Sequence, residues 1–271
     1  MPLNQDEGVV LRVRSYREDD LLVTIFFRKQ GKVSGVARAG KKSRRRFGGL
    51  LMPLHQLSVQ YQEYAHSSLV GLREASMVQS FLGAHRSLER LMQGTYLIDL
   101  VLHFTEERQP NESLYQHLLH SLERLSGGDD VELVVRKFEW LCLTAVGYRP
   151  LLSNCVICRR SRPENLGALF YPSHGGIICR ECPSADEGIF LSPDAIQFLL
   201  NESGAANQKV KDELRKFLPV FITYQLGRSL PSSELVAHLS AFAEESGLSH
   251  EKNPGAGDAP GDRIFSIFDK T

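Results

Sequence analysis

At 271 residues and 42% hydrophobic composition, the chain is long enough to bury a core in more than one domain. Its formal charge of zero conceals an asymmetry: residues 1–77 hold 13 Lys and Arg against 7 Asp and Glu, and the remainder carries the compensating acidic excess. That distribution points to a polyanion partner for the first block alone. The opening MPLNQDEGVV lacks the basic-then-apolar profile of a signal peptide, and no run nears the ~20 apolar residues that span a bilayer. A cytoplasmic protein without membrane contact is therefore expected.

Residues 8–77 read as five short strands: Gly8–Tyr16, Leu21–Phe27, Lys32–Arg38, Leu50–Tyr64 and Ser68–Met77. Val, Ile, Phe and Tyr are enriched in them, and turn segments such as Arg17-Glu18-Asp19-Asp20 and Lys29-Gln30-Gly31 recur at roughly ten-residue spacing. Such a pattern suits an OB-like barrel, with an SH3-like barrel as the alternative.

Between the third and fourth strands, the glycine-bracketed segment Gly35–Gly49 gathers Arg38, Lys41, Lys42, Arg44, Arg45, Arg46 and Phe47. Burying even one of these charges without a partner is prohibitive, so the loop must lie in water or on a polyanion. Cations beside a stacking ring on a small β-domain commonly hold single-stranded nucleic acid. These seven residues are the candidate nucleic-acid contacts, with Phe47 either stacking on a base or anchoring the loop to the barrel. Arg12, Arg14, Arg17, Arg28, Lys29 and Lys32 would extend the basic face where alternation turns them outward, although solvated surface accounts for each taken singly. Gly35-x4-Gly40-Lys41-Lys42 narrowly misses a phosphate-binding P-loop. The hydroxyl that would hold Mg²⁺ falls one place late at Ser43, and an arginine run replaces the helix that should follow. No G-x-S-x-G or H-E-x-x-H signature is present either, and a non-enzymatic role is expected.

After Phe81 the periodicity becomes helical. Leu88, Leu91, Met92, Tyr96, Leu97, Leu100, Val101 and Phe104 form one stripe. A second helix starts at Pro110-Asn111-Glu112 and ends at Gly127-Gly128; a third, capped by Asp129 or Asp130, runs from Val131 to Val146. Helices resume near Pro193–Leu200, Gln208–Gly227 and Ser232–Glu245. The stretch Ser249–Asp262 is rich in Gly, Pro and Asp and reads as a disordered tail, ending in the apolar Ile264–Phe268.

Within the helical body, Cys155-Val156-Ile157-Cys158 and Cys179-Arg180-Glu181-Cys182 are separated by 20 residues. Two CxxC knuckles present four thiolates, the ligand set of a closed tetrahedral Zn²⁺ site, so Cys155, Cys158, Cys179 and Cys182 are expected to hold one structural zinc. Leu169-Phe170-Tyr171 and Gly176–Ile178 would form the ribbon hairpin. A redox role fits less well, because neither pair opens a helix after a strand. His174 reads as a loop histidine and Cys142 as a small core residue.

With these motifs in place, the chain resembles the RecO family of bacterial recombination mediators. The resemblance is carried by Glu7-Gly8-Val9-Val10-Leu11 and by Gly31-Lys32-Val33-Ser34-Gly35-Val36-Ala37-Arg38-Ala39 through Gly48-Gly49-Leu50-Leu51. It recurs from Arg136-Lys137-Phe138-Glu139 through Gly147-Tyr148-Arg149-Pro150 into the first CxxC, and more loosely at Leu214–Leu235, so it covers most of residues 6–240. The resemblance implies an OB domain, a helical domain and, in many members, a four-cysteine zinc module. It implies binding of single- and double-stranded DNA, annealing of complementary strands and residence on the nucleoid. It further implies work with RecR, contact with the acidic tail of single-stranded DNA-binding protein, and help in loading RecA. Leu230-Pro231-Ser232-Ser233 departs from the family pattern in lacking the basic residues usual near that serine. A zinc-ribbon accessory protein binding RNA or a polymerase is the competing reading.

The expected architecture is α+β. A five-stranded OB-like barrel (residues 1–79) precedes a helical domain (80–247) carrying a four-cysteine zinc ribbon at about 151–190, and a flexible tail (248–271) follows.

Overall fold

The alternating N-terminal segments fold into β1 (Leu3–Tyr16), β2 (Asp20–Phe27), β3 (Gly31–Ala37), β4 (His55–Gln62) and β5 (Val70–Ser80). These close into a barrel of order β1-β2-β3-β5-β4, in which every pairing is antiparallel except β3 with β5. The computed structural model describes residues 3–81, 87–184, 186–201 and 206–233, all of them within one unit spanning Met1–Val236. Closure depends on the length of β1. Its first half pairs with β4 and its second with β2, and a bulge between Val10 and Arg12 bends it from one neighbour to the other. This is the OB arrangement rather than the SH3-like alternative.

Two runs break the alternation for a physical reason. Val10, Ile25 and Phe27 fill the barrel, while Val9, Leu11 and Phe26 point outward into a second core shared with the helices. A strand covered on both faces has no polar side to show. Strand limits differ from expectation. β4 starts at His55 rather than Leu50, because Leu51 and Leu54 turn inward as an apolar return of the preceding loop. β1 starts at Leu3 and β5 runs on to Ser80.

The helical body comprises α1 (Leu88–Phe104), α2 (Glu112–Gly127), α3 (Val131–Ala145), α4 (Pro193–Asn201) and α5 (Gln208–Leu226). The Asn111 side chain accepts from the Leu114 N–H at 2.9 Å and Asn207 from Val210 at 2.9 Å, supplying the orphan donors of α2 and α5. For α3 the cap is Asp130, which accepts from Leu133 at 3.0 Å. Gly128 and Gly227 close α2 and α5 in the left-handed conformation. The helix expected at Ser232–Glu245 lies, beyond Ser233, outside the described residues, as do the tail and Ile264–Phe268.

Between α3 and α4 sits a three-stranded antiparallel ribbon: β6 (Ala168–Tyr171), β7 (Gly176–Ile178) and β8 (Ile189–Leu191), in the order β7-β6-β8. The hairpin of β6 and β7 matches the sequence reading; β8 adds a strand not foreseen from it. The ribbon is bonded into the body through Phe170, whose ring meets Phe217 and Phe221 edge-on at 4.7 and 5.0 Å between centroids.

Barrel and helices are clamped at one end of the β2–β3 hairpin. Lys32 Nζ donates to the Leu102 carbonyl at 2.7 Å and also to that of Thr105, placing a cation on the carbonyl end of α1. Arg28 pairs with Glu112 at 2.8 Å, and the Arg108 N–H donates to the Lys32 carbonyl at 2.8 Å. Gly31 (φ +70°) is required here, because a Cβ would collide with the Gln109 backbone. Arg28 and Lys32 therefore belong to the domain junction and do not extend an external basic face.

Among the described residues, the Arg136–Glu139 charge pair lies in the interior. Glu139 is completely buried, accepts from the Tyr96 hydroxyl at 2.6 Å and contacts Arg136 at 2.8 Å one turn away on α3. Burial pushes the Glu139 carboxyl up, opposed by the Arg136 charge, and burial likewise raises the Tyr96 phenol. Glu139→Ala should cost roughly 3–5 kcal/mol by stranding the Arg136 guanidinium. Replacing both, Arg136→Met with Glu139→Leu, should recover a good part of that loss. Urea unfolding of the full-length chain measures both.

Candidate nucleic-acid interface and metal centre

The basic loop leaves β3 at Ala37 and is built from successive tight turns. Gly40 donates to the Ala37 carbonyl at 3.1 Å, Ser43 to Ala39 at 3.0 Å and Gly48 to Ser43 at 3.0 Å. Ala39 holds a left-handed conformation (φ +52°) that non-glycine residues rarely adopt. Two features moor this polar segment. Phe47 is 1% exposed inside the barrel core, and the Ala75 N–H donates to the Arg46 carbonyl at 3.0 Å. Phe47 is thus the anchor of the loop and not an exposed stacking platform, which corrects its place among the candidate nucleic-acid contacts. Its apolar ring gains more from the barrel interior than it would from water.

The acidic turn between β1 and β2 braces the loop from the other side. Asp20 accepts from the Ala39 N–H at 2.8 Å, the Asp19 carbonyl from the Lys41 N–H at 3.1 Å, and the Asp19 carboxylate pairs with Lys42 at 2.9 Å. Lys41 Nζ reaches the Glu18 carbonyl at 3.0 Å. Arg46 lies with its guanidinium 5.2 Å above the Phe47 ring and donates to the Arg38 carbonyl at 2.7 Å, so it stiffens the loop. Arg38, Arg44 and Arg45 are exposed, and no ion pair is found for them among the described residues. Of the six expected cations, those three and Lys41 keep their charge facing solvent without a carboxylate.

Beside the loop lies a cleft of about 260 Å³, formed by the β1–β2 turn, the end of β3 and the connection from β4 to β5. Arg17, Arg38, Arg46 and Arg73 line it, together with Tyr16 and Tyr64 and the single carboxylate of Asp20. Arg17 sits over the Tyr16 ring at 5.5 Å, and Arg73 donates to the Tyr64 hydroxyl at 3.2 Å. Arg73, Tyr16 and Tyr64 were not singled out from sequence. Their signal was a tyrosine flanking each of two turns, meaningful only once closure of the barrel brings those turns together.

In the ribbon, the Sγ atoms of Cys155, Cys158, Cys179 and Cys182 all lie within 4.8 Å of one another, with Cys158 and Cys179 at 3.6 Å. A tetrahedron with ~2.3 Å metal–sulfur bonds has edges of about 3.8 Å, so the set has the size of a four-thiolate zinc site. Burial raises the Cys155 thiol, but N–H groups of Cys179, Cys158 and Ile157 outweigh it and bring the group down to about 6. Contact with Cys179 foremost, then burial, pushes Cys182 up to about 12. Four thiolates this close repel one another, and a dication is what lets them ionise together. His174 turns away toward Ser173 and Asp186. Cys142 is 1% exposed in the helical core, where burial raises its thiol above the ordinary range.

Two family models match this chain in order. "Recombination protein O N terminal" covers residues 1–81 and "Recombination protein O C terminal" covers residues 85–234. A protein of Syntrophus aciditrophicus named DNA repair protein RecO is 32% identical over 245 residues, covering 86% of this chain and 95% of the relative. One of the same name from Anaeromyxobacter sp. (strain K) is 33% identical over 234 residues, 82% of this chain and 91% of its own. A third, from Symbiobacterium thermophilum, is 35% identical over 190 residues, 69% and 74% of the two chains. The barrel falls in the first matched segment, the helices and cysteine ribbon in the second, and relatives align across both: the chain belongs to the recombination protein O (RecO) family.

Proposed function

We propose that the protein is a non-enzymatic recombination mediator in DNA repair, which binds single- and double-stranded DNA and anneals complementary strands. The observation that carries this reading is the exposed Arg38, Arg44 and Arg45 set, without acid partners among the described residues, beside a cationic cleft on one end of a closed OB barrel. Cations that neutralise phosphates release counterions and bind without regard to sequence. A surface that engages two strands lowers their mutual repulsion and raises their local concentration, which speeds pairing without bond chemistry.

The proposed partners are supported by family membership and by one further feature. RecR and, indirectly, RecA are the proposed protein partners, with single-stranded DNA-binding protein contacted through its acidic tail. A cleft of about 200 Å³ between α2, α3 and α4 suits that tail. The edges of the buried Trp140 and Phe198 and the side of Leu141 form its apolar floor, with Lys137 Nζ 5.3 Å from the Phe198 ring; His117 and His120 flank it, and Arg124 is paired with Asp129 at 2.5 Å. The Trp140 indole N–H is buried without an acceptor among the described residues. A short acidic peptide complements a site that sets Lys137 beside an apolar floor.

The four cysteines are proposed to hold one structural Zn²⁺, which would join the two knuckles and leave no open position for chemistry.

Annealing of complementary oligonucleotides should accelerate without ATP and slow as salt rises; selective RNA binding without annealing would instead favour the accessory-protein reading. Arg44→Ala with Arg45→Ala should weaken binding across all sequences and reduce the salt slope for single strands by about 1.4. Native mass spectrometry should find one zinc per chain, and Cys155→Ser should lose it and lower the unfolding temperature while leaving the barrel bound to DNA. Lys137→Ala should weaken a labelled acidic tail peptide about tenfold, ~1.4 kcal/mol, in fluorescence anisotropy.

A further inference from the structure

The cleft beside the basic loop is built differently from the loop itself. Tyr64 lies directly over Gly71 of β5, so close that any Cβ there would strike its ring and hydroxyl. The absence of a side chain at Gly71 is what seats the ring against the strand. Its hydroxyl is held by Arg73, which also donates to Gln62 Oε1 at 2.5 Å. On the facing turn, Arg17 is held at φ +54°, a conformation a non-glycine residue adopts at a cost, and from there its guanidinium covers the Tyr16 ring. Both tyrosines are half-buried and line the cleft.

Four arginines against one carboxylate, with two propped aromatic rings, exceed what backbone phosphates alone require. Phosphate contact needs charge; it does not need rings. At about 260 Å³ the space is smaller than the ~300–1,000 Å³ of a pocket for a drug-sized ligand, which suits a single nucleobase beside the tyrosines that line it.

We infer that this cleft takes a single unstacked nucleobase, with Tyr64 as the stacking surface, Tyr16 capped by Arg17 as the opposite wall, and Arg38 and Arg73 toward the flanking phosphates. The inference rests on the reading of the barrel as the DNA-binding surface and deepens it. A base inside a duplex cannot enter, so the cleft prefers single strands, while the exposed loop cations serve both forms. The exclusion is energetic, because a paired base must first be unpaired and unstacked before it can be extruded.

The test uses the full-length chain and oligonucleotides carrying one 2-aminopurine, with the same sequence as a duplex for comparison. On binding the single strand, 2-aminopurine fluorescence should fall through stacking. Tyr64→Leu should abolish that change and weaken single-strand binding on the order of tenfold while leaving duplex affinity alone. Tyr64→Phe, which keeps the ring, should behave as the parent. Circular dichroism confirms that the variants fold. Equal losses for single strand and duplex in Tyr64→Leu, or no loss for either, would overturn the inference. If Arg44→Ala with Arg45→Ala still weakens both forms, the DNA-binding reading survives that failure. A parent protein that binds neither form overturns both.

Discussion

The structure turns on the double-sided burial of the first β-hairpin. Val10, Ile25 and Phe27 are spent inside the barrel, and Val9, Leu11 and Phe26 on the helices, with Phe26 reaching the Tyr115 ring at 6.1 Å between centroids. Because one outer patch of the barrel is the floor of the helical core, barrel and helices cannot swing independently without exposing it. Lys32 on the end of α1 and the Arg28–Glu112 pair add direction to that contact. The exposed Arg28 pair itself is worth little in energy; it sets orientation where burial supplies stability.

That orientation decides which end of the barrel is free. The β2–β3 turn at Lys29–Gly31 is occupied by the helical body, whereas the β1–β2 turn at the other end of the hairpin carries the basic loop. Eight residues of strand, at ~3.3 Å each, separate the two by about 26 Å. Cations that look equivalent in sequence thereby divide: Arg28 and Lys32 go to the junction, while Arg17, Arg38, Arg44 and Arg45 face solvent or the cleft. The acidic Asp19–Asp20 turn, lying under the cationic loop, holds it in shape without neutralising its outermost arginines.

The cysteine ribbon contributes in a different way. Its small cluster of Cys155, Tyr171 and Ile178 is too slight to fold alone, but Phe170, Ile177 and Leu191 join the main helical core. Four thiolates collected by a metal would hold the two knuckles in register, so that Phe170 stays wedged against Phe217 and Phe221. A metal in that position would support packing between the ribbon and the helices.

Local chemistry made much of this legible in the sequence. Alternation with recurrent turns specified five strands; the spacing of Leu88 to Phe104 and the Asn and Asp caps specified helices; the two CxxC pairs specified a metal-sized cluster. Each of those signals acts over a few residues, so the chain carries it without help. Other features depend on residues far apart in sequence. Phe47 reads equally as a stacking ring or an anchor until the barrel exists to receive it, and the helix start remained open between Asp129 and Asp130 until one side chain met the Leu133 N–H. The cleft of Tyr16, Arg17, Tyr64 and Arg73 is assembled from the β1–β2 turn and from the β4–β5 connection with the start of β5, about 50 residues apart, and closure of the sheet alone makes them neighbours. The sequence by itself determined most of the elements, the cationic loop and the thiol set. Tertiary structure decided which charges are free and which ring is buried, because burial and charge pairing are properties of neighbours that only the closed barrel brings together.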